Sequence, residues 1–149
     1  MSVPAMADES NSQQIARGRY LAITAGCNDC HTDGYMPTAG QVPEASWFTG
    51  SAIGFQGPWG TSYPSNLRLL VHNLNEEQWL ERTRQPMRPP MPWFNLQTMT
   101  EQDLLSLYQY LRSLGPAGEM APAAVAPGGE VNTPYFDFTP RNLPVTADK

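Results

Sequence analysis

The stretch that decides how this 149-residue chain is organised is Cys27-Asn28-Asp29-Cys30-His31, which contains both cysteines of the sequence. The pattern Cys-x-x-Cys-His is the attachment signature for a c-type haem. Two thiols at this spacing lie about one helical turn apart, so both can bond to the vinyl groups on one porphyrin edge, while the adjoining imidazole binds the iron. The sequence therefore predicts one covalent haem c, attached through Cys27 and Cys30, with His31 as an axial iron ligand.

Three other interpretations of the motif compete with haem attachment. A thioredoxin-like Cys-x-x-Cys would follow a strand, whereas the residues before Cys27 have the pattern of a helix. A zinc site would recruit His31 and His72 beside the two thiols, but adjacent Cys30 and His31 are poorly placed for two corners of one tetrahedron. A simple disulfide would leave His31 without a role. Haem attachment uses all three residues, and we favour it.

A haem that carries electrons commonly has a methionine thioether as its second axial ligand. Of the seven methionines, Met91 is the best candidate because it lies in Pro-Pro-Met-Pro-Trp-Phe at 89–94. The prolines fix φ and stiffen the loop, and the two aromatic residues can cover a haem edge. Met87 is the rival ligand. His72 would give a bis-histidine site, but we expect it on the surface before a helix.

The surrounding scaffold is predicted to be helical. A first helix over 12–25 contains Gly18, which costs about 1 kcal/mol relative to Ala in a helix interior and so indicates close packing against the backbone there. A second helix over 75–84 opens with a capping box. A last helix with an apolar 3–4 stripe begins after the cap Thr100 and stops at Gly115. We expect the last helix to cross the first near Gly18.

Residues 32–66 are predicted to be a long loop, which would be unusual without a cofactor to cover. The carbonyl of Pro43, or that of Pro37, is a candidate partner for the free ring nitrogen of His31. Three residues of this segment are candidate hydrogen-bond donors to buried haem propionates, with a role in turns and core equally open: Trp59, Tyr63 and Asn66.

Composition supports a cofactor-filled domain. Charged residues make up 15% of the chain, and Gly and Pro number 12 and 15, which is unusual for a small domain that must supply its own core. The net charge of −5, with nine scattered Lys and Arg, argues against nucleic acid as a partner. No run reaches the roughly 18 apolar residues of a membrane span.

Three regions are predicted along the chain. Residues 1–7 end in Ala-Met-Ala, which fits the small-residue rule of a secretory cleavage site and suggests a leader remnant or added residues, with a plain disordered terminus as the alternative. Residues 8–116 form the haem domain. Residues 117–149 form an extended Pro/Ala-rich arm, whose aromatic residues attach it either to the domain or to a partner: Tyr135, Phe136 and Phe138.

This order of helix, Cys-x-x-Cys-His, long loop, methionine and final helix resembles the class I cytochrome c family from Gln13 to Leu114. The resemblance implies an all-α fold, with three main helices and long loops around one covalent haem. The sequence is most similar to the haem domains of cytochrome subunits that serve alcohol and gluconate dehydrogenases. The matching stretches are Gly18-Arg19-Tyr20-Leu21-Ala22, Gly26 through Thr32, Trp59-Gly60-Thr61-Ser62-Tyr63-Pro64-Ser65-Asn66, Met91-Pro92-Trp93, and Leu104 through Leu114.

The resemblance implies that Cys27 and Cys30 carry the thioether bonds, that His31 is the proximal ligand and that Met91 is the distal one. It also implies periplasmic maturation and the transfer of single electrons between a dehydrogenase and an acceptor such as a terminal oxidase or another cytochrome. The chain departs from those subunits in two respects. They usually contain three such domains and a membrane anchor, whereas this sequence has one motif and no span, and the segment after Gly115 has no counterpart.

We therefore expect an electron carrier that catalyses no reaction itself. Two strong axial ligands would leave no open position on the iron. One alternative is a fixed electron-transfer subunit of a larger dehydrogenase complex, with the arm as its docking segment. The other is a haem peroxidase or gas-binding protein, which becomes favoured if Met91 is not a ligand.

Overall fold

A computed structural model describes residues 5–145, with side chains from residue 8 onward. Most of the regular structure in that range is helical, as expected. The helices are α1 (Ala5–Thr24), α2 (Cys27–His31), α3 (Leu67–Asn73), α4 (Glu76–Thr83), α5 (Trp93–Thr98) and α6 (Glu101–Ser113), with a 3₁₀-helix at Glu44–Ser46. The strands are β1 (Gly54–Gly57), β2 (Gly60–Ser62) and β3 (Tyr135–Asp137).

The crossing of α1 and α6 is the main helix–helix contact of the domain, and it occurs where Gly18 predicted it. A Cβ atom on Gly18 would lie 2.0 Å from the Ser106 carbonyl oxygen and 2.7 Å from Cβ of Tyr110. Only a residue without a side chain permits this approach, which explains why a glycine is kept in the helix interior. The prediction of a close crossing at Gly18 is confirmed.

Both predicted helix starts in the second half of the chain are confirmed. Asn75 and Gln78 form the complete capping box at the start of α4, with hydrogen bonds of 2.8 and 2.9 Å. The Thr100 hydroxyl accepts from the Asp103 amide at 3.1 Å and caps α6. The apolar stripe of α6 is buried. Trp79 of α4 donates its indole N–H to the carbonyl oxygen of Leu104 in α6 at 2.8 Å.

The predicted start of the first helix needs correction, and part of the predicted leader lies outside the described residues. α1 begins at Ala5 rather than near residue 12, because alanine, methionine and glutamate upstream of the predicted caps are good helix formers. Residues 1–4 of the predicted leader remnant lie outside the described residues.

The prediction that 32–66 is entirely loop is wrong. β1 and β2 form an antiparallel hairpin with Phe55 opposite Ser62 and Gly57 opposite Gly60. The turn between them is Pro58-Trp59, which is not one of the Asn-Gly or Asp-Gly pairs that signal a hairpin in a sequence. The short helices α3 and α5 were also not predicted, because six or seven residues are too few to show a helical period.

The C-terminal arm folds back onto this hairpin. β3 pairs in parallel with β1, giving a three-stranded sheet in the order β2-β1-β3. The ring of Phe55 lies 5.6 Å from Phe136 and 5.5 Å from Phe138, measured between centroids. Of the two attachments that the sequence left open, the structure places the arm aromatics against the domain.

Two polar networks fix the 3₁₀-helix to the rest of the domain. Arg19 donates two hydrogen bonds to the Glu44 carboxylate, at 3.0 and 3.3 Å, and the buried Tyr110 hydroxyl donates to the same carboxylate at 2.7 Å. Buried Arg68 donates to three carbonyl oxygens, those of Ala45, Leu114 and Gly115, at 2.6–2.7 Å. The Arg68 cation therefore lies at the negative end of α6, where it is favoured.

Across residues 5–145, none of the helices combines the length and the apolar character that crossing a bilayer requires.

Candidate functional site

A cavity of about 780 Å³ lies between α1, α2, α3, α4, α6 and the segment that precedes α5. Its volume is in the range of about 300–1,000 Å³ that cofactor sites occupy. Most of the side chains around it are apolar. Six residues singled out by the sequence line this cavity: Cys27, Cys30, His31, Tyr63, Met87 and Met91.

The two thiols lie on one turn of helix. Gly26 has φ +78, a left-handed conformation that ends α1 and starts α2 at Cys27. Because α2 then makes a single turn, Cys27 and Cys30 project toward the same side. Both thiols are free, so the structure contains no disulfide between them. Burial raises the pKa of Cys27 to about 11 and also raises the pKa of Cys30, which keeps both thiols protonated at neutral pH.

His31 is buried, with 8% of its surface exposed, and its ring is fixed by one hydrogen bond. Its Nδ1 lies 2.8 Å from the carbonyl oxygen of Ser65. With Nδ1–H donating to that carbonyl, Nε2 is left with its lone pair available to a metal. Burial also lowers the pKa of His31, so the imidazole is neutral, as a metal ligand must be.

The orienting carbonyl was assigned incorrectly from the sequence. We expected Pro43 or Pro37, both close to His31 along the chain, whereas the structure uses Ser65. The reason is the β1–β2 hairpin, which returns the chain to the motif before α3 begins. Since the hairpin was not predicted, the carbonyl that follows it was not considered.

A second residue that sequence reasoning missed is Thr32, directly after the motif. Its hydroxyl donates to Oδ1 of Asn28 at 2.6 Å and accepts from the Phe48 amide at 2.9 Å. All three residues are buried. Thr32 thus ties the middle of the Cys-x-x-Cys-His turn to the aromatic core, and no spacing rule identifies such a contact in advance.

Both candidate thioethers, in the segment that precedes α5, line the cavity. Met91 lies in a turn closed by hydrogen bonds from its own amide to Arg88 and from the Trp93 amide to its carbonyl, at 3.3 and 2.9 Å. Met87 and Met91 are both partly buried. Met99 also lines the cavity, which the sequence did not predict. The location of Met91 agrees with a ligand role, and the choice between Met91 and Met87 stays a prediction.

The structure contradicts the two alternatives that needed His72. This residue is exposed, and its Nδ1 lies 2.7 Å from the Arg68 carbonyl oxygen in the same helix, away from the cavity. It therefore cannot form the bis-histidine pair in this fold. Within the described range, no three His, Cys, Asp or Glu side chains are grouped so that they could hold a metal ion, which argues against the zinc site.

The three candidate propionate donors have other partners in this structure. Trp59 donates to the Phe55 carbonyl at 3.1 Å and lies outside the cavity lining. Asn66, also outside it, caps α3 through Oδ1 and uses its NH₂ group to hold two carbonyls of the arm. Tyr63 lines the cavity, but its hydroxyl lies 2.6 Å from Thr133 Oγ1. Trp59 and Asn66 thus make hairpin, capping and arm contacts here, and the propionate-donor role of all three residues stays a prediction.

These features fit a covalent haem. Two thiols on one helical turn, a neutral and oriented imidazole, and three thioethers line one apolar cavity. Thiol, imidazole and thioether are the groups that attach and ligate haem in electron carriers.

Comparison with known proteins agrees with this chemistry. The family model described as Cytochrome c matches residues 15–115. The chain is 32% identical to the fructose dehydrogenase cytochrome subunit of Gluconobacter japonicus over an alignment of 108 residues that covers 65% of this chain and 20% of that protein. The match thus spans about a fifth of the relative's length. No solved structure matches the chain.

Proposed function

This chain belongs to the cytochrome c family, and on that premise we propose that it passes single electrons from a dehydrogenase to a downstream acceptor in the periplasm. It is an electron carrier rather than a catalytic enzyme, and its cofactor is covalent haem c. When bound, the haem supplies an iron that gains or loses one electron. The observation that carries the proposal is the location of Cys27, Cys30 and His31 on one wall of an apolar cavity.

The chain's own residues have distinct roles in this proposal. Cys27 and Cys30 hold the cofactor through thioether bonds, and His31 binds the iron through Nε2. Ser65 orients that imidazole through its carbonyl oxygen. Met91, which lines the same cavity, would bind the iron through its thioether sulfur. With an imidazole and a thioether both bound to it, the iron would have no open position for oxygen or peroxide.

Substituting the candidate thioethers one at a time tests the ligand assignment. We expect Met91→Ala to change the ferric visible and electron paramagnetic resonance spectra and to lower the midpoint potential, because a thioether favours the reduced iron. Met87→Ala should change neither. Met120→Ala is the matched control, since Met120 is 71% exposed and lies outside the cavity lining. If only Met87→Ala alters the spectrum, the ligand role belongs to Met87.

The accessibility of the iron separates an electron carrier from a peroxidase or gas-binding protein. We expect the resting ferric protein to bind cyanide slowly and the ferrous protein not to bind carbon monoxide, whereas Met91→Ala should bind both readily. Rapid binding by the unaltered protein would contradict a filled sixth position.

A dehydrogenase is the proposed donor because the relative is named as a dehydrogenase cytochrome subunit. The same name supports a second candidate, a fixed subunit of such a complex. Sedimentation of the periplasmic fraction and of detergent-solubilised membranes from the same cells, with haem staining of both, distinguishes the two. A diffusible carrier stays with the periplasmic fraction at its monomer size, whereas a fixed subunit migrates with dehydrogenase activity. Recovery of the protein in the cytoplasmic fraction would contradict the periplasmic assignment.

A further inference from the structure

The segment after α6, residues 117–138, is attached to the domain at three places, once at the N-cap of α3 and twice at the hairpin. Near its start, the Asn66 side chain donates to the carbonyls of Ala117 and Glu119 at 2.8 and 3.0 Å. In its middle, Val125 and Thr61 exchange two backbone hydrogen bonds of 2.8 Å each. At its end, β3 pairs with β1. We refer to residues 117–126 as the inner arm.

The close approach of the inner arm to the hairpin depends on one glycine. Gly60 has φ +98, and a Cβ atom on it would lie 2.1 Å from the carbonyl oxygen of Val125. Any other residue at position 60 would therefore separate the arm from the hairpin or strain both. This requirement indicates that the contact is part of the fold.

Between its contacts with Asn66 and with Thr61, the inner arm borders the cavity. Pro122 and Ala124 contribute to its lining, beside Ser62 and Tyr63 of the hairpin. The Tyr63 hydroxyl in turn lies 2.6 Å from Oγ1 of Thr133, which follows the inner arm in the chain. The family match ends at residue 115, so this part of the cavity wall is supplied by a segment outside the region shared with the family.

We propose that the inner arm is a wall of the haem cavity that keeps water from one side of the cofactor and thereby raises its reduction potential. The inference rests on the proposed function, since it requires haem in this cavity. Oxidised haem carries one more positive charge than reduced haem, and water stabilises that charge. Replacing water by the proline ring and the alanine methyl group therefore favours the reduced form. The arm sets the potential, rather than serving as a tether for a partner.

The first test separates the arm from the hairpin in the full-length holoprotein. In Gly60→Ala the new methyl group meets Val125, whereas Gly128→Ala is matched in backbone strain, with φ +80, but has open space around its Cβ. We expect Gly60→Ala to speed hydrogen exchange of the Val125 amide and to lower the midpoint potential, and Gly128→Ala to do neither.

Two outcomes of this comparison would overturn the proposal. If Gly60→Ala speeds amide exchange but leaves the potential unchanged, the arm is released without consequence for the haem. If exchange at Val125 is also unchanged, the close approach that defines the wall is wrong.

The second test places a charge on the wall itself. Ala124 lines the cavity, whereas its neighbour Ala123 does not. A carboxylate beside the haem stabilises the oxidised form, so Ala124→Asp should lower the potential clearly more than Ala123→Asp. Equal shifts would place the inner arm away from the cofactor and overturn the proposal.

The two levels of inference fail differently. The mass and visible spectrum of the unaltered protein report whether haem is attached through the thiols, and a haem-free mature protein would contradict the proposed function itself. Haem-containing variants that do not change the potential would contradict only the role of the inner arm.

Discussion

Replacing Gly18 by alanine tests the helix crossing that supports the site. The new Cβ would lie 2.0 Å from the Ser106 carbonyl oxygen and 2.6 Å from its carbon, against about 3.5 Å for ordinary contact between heavy atoms. The obstacle is backbone, so no side chain can rotate away. α1 and α6 must move apart by roughly 1 Å or more, which opens the most extensive helix interface of the domain.

The expected magnitude combines two opposite effects. Overpacking a rigid contact costs about 1–3 kcal/mol, and a backbone obstacle places this site at the upper end. Replacing glycine by alanine in a helix interior returns about 1 kcal/mol. We expect a net loss of about 2 kcal/mol in the free energy of unfolding, which lowers Tm by roughly 4–8 °C for a chain of this size.

Guanidinium denaturation of the ferric holoprotein, followed by far-UV circular dichroism, measures this change. Ser12→Ala, at an exposed position of α1, is the control for an alanine that meets nothing and should stay within about 0.5 kcal/mol. The sign decides the matter, because helix propensity alone would make Gly18→Ala more stable than the unaltered protein. A stability gain, or no change, would refute the close crossing.

Two further substitutions test the polar networks. Arg68→Met should lower the free energy of unfolding by about 2–4 kcal/mol, measured by the same denaturation, because three carbonyl oxygens at 2.6–2.7 Å lose their donor. Arg68→Lys should lose less stability than Arg68→Met but still be less stable than the unaltered protein. A loss below about 1 kcal/mol in Arg68→Met would contradict the network. Two hydrogen bonds lower the pKa of Glu44, and the one from Arg19 has a larger effect than the one from Tyr110. This carboxylate therefore stabilises the fold above its ordinary pKa, and the stabilisation disappears as pH falls through the lowered value. In Glu44→Gln, Tm should fall less steeply between neutral pH and pH about 3 than in the unaltered protein, and parallel curves would exclude this role.

What could be predicted from the sequence is what depends on residues near each other along the chain. The Cys27–His31 turn, the Asn75 capping box and the Thr100 cap are each complete within five residues, and each is found as expected. Gly18 is instructive because its cost in a helix indicated a partner that the sequence places almost ninety positions away, at Ser106. The unfavourable helix propensity of Gly18 was therefore enough to predict a close contact without knowledge of the partner residue.

Several of the missed features depend on pairing between distant segments. The orienting carbonyl lies 34 positions from His31, and Tyr63 finds its partner Thr133 across 70 positions. Neither Ser65 nor Thr133 is an unfavourable residue in its local structure, so the adjacent sequence does not indicate a distant contact. The arm contact of Asn66 was missed for the same reason, because its amide group donates to carbonyl oxygens 51 and 53 positions away.

The cavity itself implies one last consequence, for the chain without haem. If about 780 Å³ stayed open and dry, the cost at about 24 cal/mol per Å³ would be roughly 19 kcal/mol, above the 5–15 kcal/mol by which domains are ordinarily stable. The haem-free chain must therefore collapse, flood or unfold. Expression of the Cys27→Ala/Cys30→Ala double variant without haem should give a protein with little near-UV circular dichroism and no cooperative transition in guanidinium. A haem-free chain that unfolds cooperatively at the same midpoint as the holoprotein would show that the walls do not need the cofactor as part of their core.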